Sequence, residues 1–144
     1  MNGFECAKVL KHEFPNLKII ILSMNCDPKV VYELVEKIKI EGLENEIDQN
    51  IQVTLYRIIQ ECINNTVKHS GADKIDISVI QSDKKITTEI KDNGKGFNPL
   101  KITENKDGIG LQNMKARIEM LKGKMRIDSA ANRGTQVFIE IPIV

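Results

Sequence analysis

Three short stretches of this 144-residue chain combine residue types and spacings that could do chemistry. The first is Gln60-Glu61-Cys62-Ile63-Asn64-Asn65-Thr66-Val67-Lys68-His69. On a helix, Glu61 and Asn65 lie about one turn apart on one face. A carboxylate and an amide oxygen so placed suit a hydrated Mg²⁺, which takes few protein oxygens and keeps several waters. A solvated helix face accounts for the same residues. The second is Asp92-Asn93-Gly94-Lys95-Gly96-Phe97, directly after a strand. An ionised aspartate there can accept from an exocyclic amine. Two glycines two apart let the backbone turn tightly and approach a flat ligand. A plain Asn-Gly turn is the alternative. The third is Gly108-Ile109-Gly110-Leu111, opening a helix. Free N–H groups and the positive dipole end make such a start a phosphate site. It is neither a Walker A loop nor a full GxGxxG.

These stretches must be positioned by the elements around them. Asp48 caps a long helix to about His69, with Ile51, Leu55, Ile58, Ile59, Cys62 and Ile63 recurring at helical spacing. Ser70-Gly71 ends it. Strands alternate over Lys74 to Gln81 and Lys85 to Lys91, with Ser82-Asp83 as the hairpin turn. A polar loop from Asp92 to Gly110 follows, and its Asn98–Asp107 part could close over a ligand. A helix from Leu111 to Leu121 and strands over Met125–Ser129 and Thr135–Ile143 complete this part. Ile38 and Ile40 mark a strand before the long helix. Ahead of it lie a helix over Glu5–Phe14, a buried strand over Leu17–Leu22 and a helix over Lys29–Glu36.

Composition narrows the classes of function. The net charge of +1 offers no electrostatic footprint for nucleic acid or an anionic membrane. The longest apolar run, Ile19 to Leu22, is far short of the roughly 20 residues of a membrane span, and no secretory signal is visible. Cys6, Cys26 and Cys62 are odd in number and form no CxxC pair, which argues for a reducing, cytoplasmic setting.

In this order, the three stretches resemble the asparagine box and the two glycine boxes of the sensor histidine kinase ATP-binding domain, of the GHKL group. Leu55-Tyr56-Arg57-Ile58-Ile59-Gln60-Glu61 with Asn65 and Lys68-His69 is similar to the nitrate-sensor and desaturase-sensor branch. So are Gly110-Leu111-Gln112-Asn113-Met114-Lys115-Ala116-Arg117 and Gly134-Thr135. The resemblance covers about residues 37–144. It implies an α+β fold, a two-layer α/β sandwich of the GHKL (Bergerat) type with a mixed sheet and helices on one face. It also implies ATP and Mg²⁺. Glu61 would polarise the attacking group and Asn65 would be the metal ligand. Lys68 and His69 would lie near the phosphates. Asp92 would accept from the 6-amino group of adenine, with Gly94 and Gly96 shaping the pocket and the Thr135 hydroxyl supporting it. Gly108, Gly110 and Leu111 would hold the lid and phosphates.

Residues 1–36 resemble the second half of a response-regulator receiver domain, with Ser23 matching a hydroxyl residue at a strand end. The phosphoacceptor aspartate of that family has no counterpart here, so this segment reads as a truncated remnant. His12 reads as a surface helix residue and His69 belongs to the site, which leaves no evident phosphoacceptor histidine. The implied function is transfer of the γ-phosphoryl of Mg-ATP to a histidine on another segment or chain, without autophosphorylation in isolation. Partners would be a dimerisation and phosphoacceptor domain and a response regulator, with no nucleic acid and no direct membrane contact. A GHKL-type ATPase or serine kinase, or a nucleotide-binding module inactive alone, are the alternatives.

Overall fold

The apolar spacing of the long helix decides which face it buries. In a computed structural model describing residues 35–42, 47–101 and 106–143, α1 spans Gln49–Asn65. Its buried residues are Ile51, Leu55, Ile58, Ile59, Cys62 and Ile63, the stripe expected from spacing alone. Asp48 caps it by accepting from the Asn50 N–H at 2.8 Å. Beyond Asn65 the helix widens into a π-helical turn, Thr66–Ser70, closed by Gly71 in the left-handed region. Such turns are rare and concentrate at functional sites.

The strands are β1 (Val35–Glu41), β2 (Ile75–Gln81), β3 (Lys85–Asp92), β4 (Lys124–Ser129) and β5 (Thr135–Pro142), in the sheet order β1-β2-β3-β5-β4. β1 pairs parallel with β2 and the other pairings are antiparallel, so the sheet is mixed. One face is apolar: Ile75, Ile77, Val79, Ile86, Ile90, Val137, Ile139 and Ile141 are all buried. That face packs on α1 and on Met114 and Ile118 of the second helix, α2 (Lys106–Met120). Each fully buried isoleucine contributes on the order of 2 kcal/mol by leaving water. The fold is the expected two-layer α+β sandwich with helices on one face.

Two boundaries differ from the sequence reading. The helix expected over Lys29–Glu36 overlaps β1, which already begins at Val35; parallel pairing with Ile75 recruits those residues into the sheet. The helix expected to open at Leu111 begins at Lys106, so Gly108 and Gly110 lie inside its first turns. Glycine weakens a helix by about 1 kcal/mol against alanine, which packing of Met114 and Ile118 on the sheet can offset. The elements expected over Glu5–Phe14 and Leu17–Leu22 lie outside the described residues, as do Ser23, His12, Cys6 and Cys26.

Candidate functional site

Asp92 ends β3 on the helix-facing side of the sheet and is 8% exposed. A carboxylate so deep needs partners. Its Oδ1 accepts from the Gly94 N–H at 2.9 Å and the Thr135 N–H at 3.3 Å. Its Oδ2 lies 3.2 Å from Thr66 Oγ1. Three segments distant in sequence therefore converge on one carboxylate.

The loop after Asp92 is built by close backbone crossings. Lys95 N–H donates to Ser70 O at 2.8 Å, and Asn132 N–H donates to Lys95 O at 2.6 Å. A Cβ at Gly94 would stand 2.5 Å from Ser70 Cβ, and one at Gly96 only 2.0 Å from Ala130 O. Gly96 also has φ +64°. These glycines are required by the close approach of neighbouring chain, and Gly96 also lines the cavity above Asp92. Asn93 likewise serves structure: its Oδ1 accepts from the Asp73 and Lys74 N–H groups at 3.2 and 3.1 Å.

A cavity of about 270 Å³ opens above Asp92. Its apolar wall is Cys62, Ile90, Phe97, Leu111, Met114 and Val137. Its polar groups are Asn65, Thr66, His69, Ser70, Asp92, Lys95 and Thr135, and Gly96 completes the lining. A buried carboxylate beside an apolar wall is how a site orients a flat ligand with a donor at its edge. Of the residues singled out from sequence, Asn65, His69, Asp92, Gly96, Leu111 and Thr135 line this cavity. Glu61, Lys68, Gly94, Gly108 and Gly110 do not. Glu61 instead abuts α2: a Cβ on Gly110 would lie 3.0 Å from Glu61 Oε1. Lys68 is exposed. Gly108 and Gly110 are helical, and only Gly108 of the two falls among the first four described residues of α2.

Thr135 reaches Asp92 through its backbone N–H rather than its hydroxyl. The hydroxyl stands 2.8 Å from Ser129 Oγ, which is also 3.1 Å from Gly134 O and accepts from the Phe97 N–H at 2.9 Å. Sequence reasoning missed Thr66, Phe97 and Met114. Phe97 was legible as the one aromatic beside the second glycine; nothing in the sequence connects position 66 with position 92. Burial, then the nearby carboxylates of Glu61 and Asp92, push the Cys62 thiol from an ordinary 9.0 up to about 12. It remains a neutral wall group.

Sheet, helices and cavity together define an α+β sandwich with a ligand pocket between its helical layer and one end of the sheet. The family model described as histidine kinase-, DNA gyrase B-, and HSP90-like ATPase matches residues 50–144, and the chain belongs to that ATP-binding family. It is 40% identical over 103 residues to the signal transduction histidine-protein kinase/phosphatase DegS of Brevibacillus brevis, covering 71% of this chain and 26% of that protein. It is 39% identical over 97 residues to the sensor histidine kinase ComP of Bacillus subtilis (strain 168), covering 67% and 13%. The chain thus spans about a quarter or less of these relatives. Acinetobacter baumannii histidine kinase AdeS shares the fold with a TM-score of 0.63 at 16% identity, over 99% of this chain and 65% of that one. The histidine kinase domain of the blue-light activated kinase EL346 from Erythrobacter litoralis aligns with a TM-score of 0.59 at 14% identity, over 97% and 60%.

Proposed function

We propose that residues 37–144 act as the catalytic domain of a two-component sensor histidine kinase. The domain binds Mg-ATP and presents its γ-phosphoryl to a histidine carried on another segment or chain. The observation that carries this reading is Asp92, buried, held on Oδ1 by backbone donors, and lining an apolar cavity. A purine with an exocyclic amine satisfies such an acceptor, while its rings suit the wall of Ile90, Phe97, Met114 and Val137.

From the base, the triphosphate would run past Asn65 and His69 towards Glu61 and the start of α2. Lys68 supplies positive charge there and His69 a ring donor. Gly108, Gly110 and Leu111 bring the first turns of α2 beside Glu61, and an unpaired helix start favours an anion. Glu61 accepts the hydrogen bond that orients the attacking imidazole or a water. Catalysis on this scheme is positioning and charge stabilisation. Asn65, on the cavity wall, suits a Mg²⁺ that keeps most of its ligands as phosphate oxygens and water. When bound, the ion supplies neutralisation of charge on the phosphates. The working location is the cytoplasm, where ATP is available; among the described residues no helix is long and apolar enough to cross a membrane. The partners are a dimerising phosphoacceptor domain and a response regulator.

Calorimetric titration with ATP, with and without Mg²⁺, tests the reading. Micromolar binding strengthened by Mg²⁺ is expected. Absence of binding by the demonstrably folded chain overturns it.

A further inference from the structure

The carboxylate of Asp92 is pinned unevenly. Two backbone N–H groups fix Oδ1, but holding one oxygen leaves the carboxylate plane free to swing, because the terminal torsion of aspartate is soft. Among the described residues, the group that meets Oδ2 is the Thr66 hydroxyl at 3.2 Å. Thr66 is 4% exposed and lines the cavity. Its hydroxyl has one proton and two acceptors in reach, because the Cys62 carbonyl lies 2.9 Å away. That carbonyl already accepts from the Thr66 backbone N–H, whereas a charged carboxylate is the stronger acceptor. Thr66 stands where α1 widens into the π-helical turn, on a different element from β3, whose end carries Asp92.

We propose that Thr66 is a positioning residue for base selection: its hydroxyl sets the plane of the Asp92 carboxylate so that Oδ2 presents a lone pair to a 6-amino purine in the cavity. The proposal rests on the ATP reading above and extends it to a residue that the motif reading gave no role. The competing role is an ordinary helix back-bond to Cys62 O, which would affect stability and not selectivity.

The test compares ATP with purine riboside 5′-triphosphate, which lacks the 6-amino group, on the wild-type chain and on Thr66→Val and Thr66→Ser. Wild type should prefer ATP. Thr66→Val keeps the volume and removes the hydroxyl; it should weaken ATP binding roughly five- to tenfold while changing analogue binding less than twofold. Thr66→Ser should restore the preference. Equal weakening of both nucleotides by Thr66→Val, or no weakening of either, overturns the proposal. A wild-type chain that binds both nucleotides equally would overturn the Asp92 assignment itself. Thermal melts of each variant identify a folding failure, and in that event Thr66→Ser alone decides: loss of the ATP preference in a stable serine variant also overturns the proposal.

Discussion

The two ends of the cavity are built differently. At the base end, Asp92 is buried and tied to Gly94, Thr135 and Thr66, and the loops around it cross at backbone hydrogen-bond distance. Away from Asp92, His69 lines the cavity from the π-helical turn, while the exposed Lys68 on that turn and Glu61 against Gly110 lie outside the lining. The Asp92 end is preorganised, so on the proposed reading its selectivity is available before a ligand arrives. The end proposed for the phosphates has an exposed lysine and a helix start beside it, groups that the ligand's own charge would order.

That contrast can be broken most severely at Gly134. Its φ is +76° and a Cβ there would lie 2.1 Å from Asp92 O. Gly134→Ala should cost several kcal/mol, by strain and by displacing the strand end that carries Asp92, and lower the melting temperature sharply. A melting temperature within a degree of wild type would refute the crossing as the reason for glycine. A milder attack on the same end is Asp92→Asn, which keeps an acceptor for Gly94 and Thr135 but offers a donor to the ligand. ATP affinity should fall at least about a hundredfold with the fold retained, since an amine then faces an amine. Unchanged affinity in calorimetry would remove the adenine assignment.

At the phosphate end the effects should be smaller and conditional. Asn65→Ala should weaken ATP binding about tenfold with Mg²⁺ present and little without it. Equal losses under both conditions would count against a metal role. An effect confined to alkaline pH concerns the wall. With its thiol raised from 9.0 to about 12, Cys62 keeps its proton in the folded state while the unfolded chain loses it. Stability from this group is therefore complete below pH 9 and declines as pH rises towards 12, by up to about 1.4 kcal/mol per unit. Denaturant titrations of wild type and Cys62→Ala should differ by a constant packing cost below pH 9, and that difference should shrink only in the alkaline window. Parallel curves there would contradict a buried neutral thiol.

A comparable test of polar burial lies in the core. Thr88 is fully buried and its hydroxyl has no hydrogen-bond partner among the described residues. Thr88→Val keeps the shape and removes the orphan, so chemical denaturation should show stability unchanged or raised by about 1 kcal/mol. A loss of more than that would mean the hydroxyl is satisfied in solution.

Much of the scaffold was readable from local pattern. The stripe from Ile51 to Ile63, the alternation through Ile75, Ile77 and Val79, and the Ser82-Asp83 turn each express a period that burial on one face imposes. Boundaries were lost where partners decide them. Val35 and Glu36 join β1 because β2 offers a parallel edge, and the helix from Lys106 tolerates two glycines because its apolar residues pack on the sheet.

The same division runs through the site. Residue order and type alone determined that Glu61, Asn65, Asp92 and the glycine pairs belong to one ATP-binding family, because those motifs are short and contiguous. Tertiary structure decided that Gly96 yields to Ala130 and Gly134 to Asp92, that Thr135 acts through its backbone, and that Thr66 meets Asp92. Those contacts join positions dozens of residues apart. No local period encodes them, and they come into being only when the end of α1, the end of β3 and the start of β5 pack into a single corner of the sandwich.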